Sequence, residues 1–400
     1  MLRERHRSFT GSTTLLKELN RSLVLDALRQ QGSLSRAQLA SLTGLTAATI
    51  SNIVEELIAE GYVRSEGQGA SQGGRKPTLL SLVPGARHVI AVDVAVDRVT
   101  VAITDLLART LAMEVLPSPA GKAPLAVVDE VAAAVENLAH RRSCPPILGV
   151  GVAFPGPTDV ETGTALTAPN LPGWDHVPLR DLLAERVKLP VYVENDANAA
   201  ALGEKSYGAA RGVRHLIFLL LDLGIGGGFL FGGEIYRGFQ GAAGEVGHMI
   251  IDINGRRCGC GSTGCLETVA SGIALVRRRA ERLGREEPEK LSLLLDAARL
   301  GDAQAVADLN EAARYIGVAV ASLANTFNPE MIILGGRLAV EYPPFFDLAA
   351  ETARPRLLPL IQHHTQIAMT GLGRNACLVG AASLVLQTIF QPLRLAGNAP

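Results

Sequence analysis

The chain reads as an α/β protein in two parts, a small helical head joined to a larger body of alternating strands and helices. Three observations predict this. Short amphipathic helices separated by a glycine turn lie near the start, and strand and helix patterns alternate from about residue 84 onward. In addition, Cys258, Cys260 and Cys265 cluster downstream of His248, in a glycine-rich stretch of the body.

The bulk numbers bound the answer. Four hundred residues exceed what one core organises, so two or three domains are expected. Hydrophobic content of 48% with 19% charged residues describes a packed globular chain and excludes a disordered one. The net charge of -1 hides an asymmetry: residues 1–80 carry ten Lys/Arg against seven Asp/Glu, and the remainder 28 against 32. A mildly basic start leans toward a nucleic-acid partner. The longest aliphatic run, Leu216 to Leu221, stops at Asp222, far short of the roughly 20 residues a membrane helix needs. No charged head followed by an apolar block opens the chain, so a soluble cytoplasmic protein with reduced thiols and no membrane contact is expected.

In the head, residues 1–14 are polar, and the stripe Leu16, Leu19, Leu23, Ala27, with Val24 and Leu28 beside it, predicts a first helix ending near Gly32. Ser35 with Gln38 three residues on forms a capping box for a second helix, whose inner face is Leu39, Ala40 and Leu42 and whose stop is Gly44. Thr46 caps a third helix with Ile50, Ile53, Val54, Leu57 and Ile58 inside, ending at Gly61. Thr46 and the small residues Ala47, Thr49, Ser51 and Asn52 lie at its outer face, able to reach base edges without filling a groove. Helix, glycine turn, helix is the helix-turn-helix pattern, whose second helix enters the major groove. Arg36 is placed to meet a phosphate, which positions the protein without reading sequence. Two β-like segments, Tyr62 to Ser65 and Thr78 to Leu82, flank the loop GQGASQGGRKP, a wing tip carrying Arg75 and Lys76. The alternative for this segment is a three-helix bundle used for protein contacts.

In the body, His88 to Val94, Arg98 to Thr104 and Thr110 to Val115 read as strands, followed by a helix around Leu125 to Leu138. Gly149 to Gly156 is a strand running into a turn, and Val191 to Val193 a strand leading to Glu194-Asn195-Asp196-Ala197-Asn198. The pair Asn195 and Asp196 suits a polyol, because an amide both donates and accepts while a carboxylate accepts two hydroxyl hydrogens. Ala303 to Phe327 is a long Ala-rich helix closed by Asn328, Met331 to Leu334 a buried strand, and Ala376 to Leu386 the last helix. No internal repeat is visible.

Three thiolates and one imidazole make a complete tetrahedral set for zinc, and a set with no open position is structural rather than catalytic. His248, Cys258, Cys260 and Cys265 are the candidate ligands, with Gly259, Gly261 and Gly264 allowing the chain to fold tightly. Buried free thiols or a disulfide are the alternatives. Cys144 and Cys377 have no metal-like spacing.

CGCGSTGCLE, preceded by GEVGH, resembles the zinc motif of the ROK family, which groups sugar kinases with sugar-responsive repressors. SRAQLASLTGLTAATISNIVEELIAEGYV with GGRKP after it resembles the winged helix-turn-helix of the repressor branch, a head that the kinases lack. The resemblance implies a two-lobed actin-like ATPase/sugar-kinase fold behind a winged helix-turn-helix. It divides the chain into a head (1–83), a first lobe (84–194 plus 376–400) and a second lobe (195–375). It also implies a sugar pocket of Asn170, Asn195, Asp196, Glu245, His248 and Glu267, with His248 serving both zinc and sugar. Kinases of the family carry an Asp, two glycines and a Thr in the first phosphate turn. Here the segment is Asp93-Val94-Ala95-Val96-Asp97, and in the second, LLDLGIGGG, Asp222 and Leu223 replace small residues and Thr. A carboxylate about 4 Å from a phosphate charge would repel it by roughly 4 kcal/mol in a surface-like medium, so no ATP and no enzymatic activity are expected. The expected function is a sugar-responsive regulator, a repressor that binds operator DNA as a homodimer or dimer of dimers and is released by a sugar or sugar phosphate. The alternatives are an ATP-dependent sugar kinase with an added head, and a regulator that senses a protein partner.

Overall fold

The computed structural model describes residues 13–68, 76–140 and 145–391. The stretch 1–12, Arg75 and Cys144 lie outside the described residues. The head comprises α1 (Thr13–Gln31), β1 (Leu34–Ser35), α2 (Arg36–Thr43), α3 (Ala47–Ala59), β2 (Val63–Gln68) and β3 (Thr78–Leu82), its strands antiparallel in the order β1-β3-β2. Local chemistry sets the helix starts. Ser35 Oγ accepts the Gln38 amide at 3.3 Å while Gln38 Oε1 accepts the Ser35 amide at 2.9 Å, which satisfies two orphan donors reciprocally. Thr46 Oγ1 accepts the Thr49 amide at 3.2 Å, and Gly44 closes α2 at φ 72°.

The buried faces differ in part from the sequence reading. Ile50, Ile53, Val54 and Leu57 are buried, but Ile58 is 40% exposed, Leu42 57% and Leu16 55%. In α1 the buried face is Val24, Leu25 and Leu28, because this helix packs on the other head elements and also on the last helix of the body. A helix with two partners turns a different stripe inward than a helix with one.

The body is built on two five-stranded sheets. The first contains β4 (His88–Val94), β5 (Arg98–Thr104), β6 (Thr110–Pro117), β7 (Ile147–Phe154) and, after the short β8 (Thr158–Asp159) and β9 (Thr164–Ala165) ribbon, β10 (Val191–Asn195). Its helices are α4 (Pro124–His140) and α5 (Leu179–Val187). After α6 (Asp196–Tyr207), the second sheet contains β11 (Leu216–Leu221), β12 (Ile225–Phe231) and β13 (Glu234–Ile235). Then follow α7 (Glu267–Ala270), α8 (Gly272–Leu283), α9 (Leu291–Arg299) and α10 (Ala303–Phe327). The chain closes with β14 (Met331–Gly335), α11 (Arg337–Glu341), α12 (Pro343–Ala353), α13 (Pro359–Gln362), β15 (Gln366–Met369) and α14 (Ala376–Phe390).

The two sheets repeat one plan: β10-β7-β4-β5-β6 and β15-β14-β11-β12-β13 each join an antiparallel meander to two parallel strands. The repeat invisible in the sequence is therefore present in the topology. Sheet pairing needs only alternating apolar residues, so two halves can keep a plan while sharing no motif.

Strand alternation sorts the core. Ile90, Val92, Val101 and Ile103 pack with Val127, Val131 and Val135 of α4, whereas Val89, Ala91 and Ala102 share a cluster with Ala381, Val385 and Leu386 of α14. In the second sheet, Ile217, Leu219, Ile332 and Leu334 face α9 and α10, and Leu216, Phe218 and Ile333 join the cluster of α6 and α14. Helices α6 and α14 thus form the layer between the sheets. They touch backbone to backbone: a Cβ on Gly380 would lie 1.9 Å from the Ala199 carbonyl oxygen, and one on Gly228 of β12 would lie 2.1 Å from that of Ala197. Among the described residues no helix is long and apolar enough to cross a membrane.

Gly380→Ala is expected to destabilise the protein by about 3 kcal/mol, because neither backbone can give way without moving a sheet. Denaturant unfolding checks it, and a loss within error would mean that the two helices have slack.

Candidate functional site

A cleft opens between the two sheets. Its walls are the turn after β4, the turn after β7, the segment 168–171, the start of α6, the β11–β12 turn, the Val246–His248 turn, Glu267, and the starts of α11 and α14. Strand ends and helix starts meet there because ligand clefts in α/β sheets form beyond the carboxyl ends of parallel strands.

All six residues expected to form a sugar pocket, Asn170, Asn195, Asp196, Glu245, His248 and Glu267, line this cleft. The structure separates their tasks more finely than the sequence could. Asn195 Oδ1 accepts the Asn198 amide at 3.1 Å and so caps α6, while its Nδ2 donates to the Gly156 carbonyl at 3.2 Å and to Asp196 Oδ1 at 3.1 Å. Asn195 therefore also positions the start of α6 and the Gly156 turn. Asp196 Oδ1 also accepts the Ala197 amide at 2.7 Å, and among the described residues no group bonds Oδ2. Glu267 Oε2 accepts the Ile225 amide at 3.2 Å, tying α7 to the β11–β12 turn.

The cleft resists negative charge. Burial pushes Asp196 up to about 8, opposed by the Ala197 amide and reinforced by Asp93, Glu245 and Asp222. Burial likewise pushes Asp93 up to about 6 and raises Glu245, where Glu267 adds to the effect and His248 opposes it. Carboxyls in this condition bind neutral hydroxyls at little desolvation cost and disfavour further anions.

Arg337 is the feature that sequence reasoning missed. Its Nε donates to Asp222 Oδ1 and Oδ2 at 2.9 and 3.0 Å, and its Nη1 to Asp97 Oδ2 at 2.7 Å, with the side chain only 13% exposed. Asp97 and Asp222 sit on the equivalent turns of the two sheets, so one guanidinium joins both. Arg98 adds a second partner for Asp97 at 3.1 Å. The expected repulsion by a bare Asp97 is therefore corrected, since its charge is balanced and the space between the two turns holds the Arg337 side chain. A lone Arg directly after a Gly-Gly turn, at the carboxyl end of a buried strand, was the available signal.

One wall of the cleft ends in the cysteine knot. The ligand atoms of His248, Cys258, Cys260 and Cys265 all lie within 4.8 Å of one another. Cys260 and Cys265 Sγ are 3.8 Å apart, and Cys258 Sγ lies 3.6 Å from His248 Nδ1. Two thiolates about 2.3 Å from a shared ion at the tetrahedral angle would be about 3.8 Å apart, whereas a disulfide needs about 2.05 Å. The spacing therefore suits a metal, and the thiols are unpaired. Burial pushes Cys265 up to about 12 and raises Cys258, whereas the Ser262 backbone lowers Cys260, and a bound cation would favour the ionised form of all three. Gly261 and Gly264 have φ of 93° and 77°, and a Cβ on Gly264 would lie 1.6 Å from the Asp252 carbonyl oxygen. Gly259 has no positive φ among the described residues, contrary to expectation. His248 Nε2, 3.8 Å from Glu245 Oε2, faces the cleft side.

In the head, Ala47 and Asn52 are exposed at the start of α3, with Ser51 half-buried. The Thr46 and Thr49 hydroxyls lie 2.9 Å from each other and are partly used in capping. Arg36 is half-buried and Lys76 exposed.

Residues 89–388 match the ROK family model. The chain belongs to the ROK family. Residues 18–71 match the MarR family model, consistent with a winged helix-turn-helix head. The chain is 34% identical to the xylose repressor of Caldicellulosiruptor bescii, across 95% of this chain and 98% of that protein. The crystal structure of a ROK family transcriptional regulator, a homolog of the E. coli MLC protein, superposes with a TM-score of 0.78 at 26% identity, covering 95% of this chain and 98% of that one. A ROK family glucokinase from Streptomyces griseus, solved with glucose and AMPPNP, is 36% identical with a TM-score of 0.67, but covers 74% of this chain and 98% of its own. The similarity to the regulators includes the head.

Because its carboxyl is raised in the fold, Asp196 contributes stability below about pH 4 that is lost as pH rises through about 8. Asp196→Asn cannot ionise, so its advantage over the wild type in thermal unfolding should grow between pH 5.5 and pH 8. A difference independent of pH would show that Asp196 ionises in the cleft without cost.

Proposed function

We propose that this ROK protein is a sugar-responsive transcriptional repressor, in which a sugar held in the cleft lowers the affinity of the head for operator DNA. The observation that carries this reading is the joining, in one chain, of a winged helix-turn-helix head to a cleft where six polyol-type side chains converge. End-to-end similarity to a xylose repressor supports it and makes D-xylose the first effector to test.

The start of α3, from Thr46 through Asn52, would read base edges, with Arg36, Arg75 and Lys76 on phosphates. A homodimer, or a dimer of dimers, would place two heads on half-sites about 34–36 Å apart. In the cleft, Asp196 and Glu267 would accept sugar hydroxyl hydrogens, and Asn170, Glu245 and His248 would complete the set. Zinc is the ion that the donor set of His248, Cys258, Cys260 and Cys265 fits, and its role would be to fix the cleft wall that carries His248 and Glu267. ATP is not part of this reading, because Arg337 fills the gap between the Asp97 and Asp222 turns.

A kinase reading has two observations in its favour, the 36% identity of the body to a ROK family glucokinase and the Asp196 carboxyl raised to about 8, which would suit a general base. An ADP-release assay with D-xylose or D-glucose and ATP separates the two. Steady sugar-dependent ADP formation would overturn the repressor reading.

The direct test is binding to fragments of the DNA upstream of the gene, titrated with D-xylose, D-glucose, N-acetylglucosamine and their phosphates. One sugar should weaken binding roughly 5- to 150-fold, the range of a coupling of about 1–3 kcal/mol. Chelation of the metal is expected to remove the sugar response first and then to lower the unfolding temperature, which calorimetry with and without added Zn2+ would show.

A further inference from the structure

Two helices begin at the cleft and end at the same residue of the head. Helix α6 starts with Asp196 and its cap Asn195, and α14 starts with Ala376 and Cys377, all four of which line the cleft. At their far ends, the guanidinium carbon of Arg29 lies 5.3 Å from the ring centroid of Tyr207 of α6 and 5.3 Å from that of Phe390 of α14. Arg29 belongs to α1 of the head. Its Nη1 also donates to the Ser206 carbonyl at 3.2 Å, and its Nε to Asp26 at 2.9 Å, which holds the fork in plane. The side chain is only 13% exposed.

Both helices are closely seated along the way. Gly203 of α6 faces Gly380 of α14, where a Cβ would meet the Gly380 nitrogen at 2.9 Å, and the Gly380 and Gly228 contacts described above leave no side chain between the backbones. Asp196 and Tyr207 are the two ends of one helix, about 16 Å apart, so a displacement at the first would be passed along the helix to the second. Beyond Arg29, α1 is tied to the reading helix α3 by the Arg21–Glu60 ion pair and by Lys17–Glu56 at 2.8 Å. An open crevice beside this joint is lined by Arg29 and Tyr207 together with Gln30, Arg109, Arg211 and Arg214, while the buried residues of the head and of the first sheet run together in one apolar cluster.

We propose that Arg29, which lies over the rings of both Tyr207 and Phe390, is the positioning residue through which occupancy of the cleft reaches the DNA-binding head. The proposal rests on the sugar-responsive reading above and names its route. Arginine suits the task because a planar guanidinium stacks on two rings while it hydrogen-bonds at its edge, which an ammonium cannot do. Its contribution is to coupling rather than to either binding event, since Arg29 touches neither the cleft nor the outer face of α3.

The test uses the full chain and measures D-xylose affinity by calorimetry with and without the upstream DNA, and DNA affinity with and without D-xylose. Linkage requires the two ratios to agree, and the wild type should give about 5-fold or more. In Arg29→Gln and in Tyr207→Leu that ratio is expected to fall to about 2-fold or less, with each separate affinity within about 3-fold of wild type. Tyr207→Phe keeps the ring and should keep the coupling, while Arg29→Lys should recover only part of it. Full coupling in Arg29→Gln would overturn the proposal, as would a variant that loses coupling only by losing sugar or DNA binding outright. A wild-type chain that binds DNA but no sugar would overturn the functional reading and the proposal with it.

Discussion

The seating of α6 against α14 and β12 constrains everything else in this molecule. Where a Cβ would sit 1.9 Å from a carbonyl oxygen, no residue but glycine permits the contact, and the two sheets are held at backbone distance from the helical layer between them. That layer is a shared core: Val89 and Ala91 of the first sheet and Leu216 and Phe218 of the second bury against the same helices. The two halves are therefore joined by apolar packing through the layer and by polar groups across the cleft.

The polar side of that joint is an exchange of charge. Six carboxylates converge on or near the cleft, and burial, reinforced by their mutual repulsion, pushes Asp93, Asp196 and Glu245 toward the neutral form. Arg337 balances the two on the equivalent turns, Asp97 and Asp222. Such a pair bridging two lobes holds them near one another without a bound anion. Removing either partner would leave a part-buried charge uncompensated, which costs more than the pair contributes when intact. On another wall of the cleft the donor atoms of the cysteine knot lie within 4.8 Å of one another, where a metal would tie residues 248 and 258–265 together.

Much of this was legible before the structure. The capping box at Ser35, the cap at Thr46, the stop at Gly44, the strand His88–Val94 and the helix Ala303–Phe327 all follow from rules that act within one element, and they stand as read. The cysteine cluster was legible because a tetrahedral donor set needs only residue types and spacing. Residues read wrongly, such as Leu16, Leu42 and Ile58, are those whose burial depends on a second element packing from a direction that periodicity does not encode. Asn195 has a task that the sequence did not show, since both ends of its amide also cap α6 and hold the Gly156 turn.

By itself the sequence determined the element types, their order, the family pattern and the donor set of the knot, because each depends on local backbone preference or on chemistry counted along the chain. Only the tertiary structure decided that Asp97 and Asp222 share one arginine 240 and 115 positions away, that both sheets follow one plan, and that α6 and α14 converge on Arg29. Those relations join residues far apart in the chain through a packed glycine layer, and distance in space between such residues is set by the whole core at once.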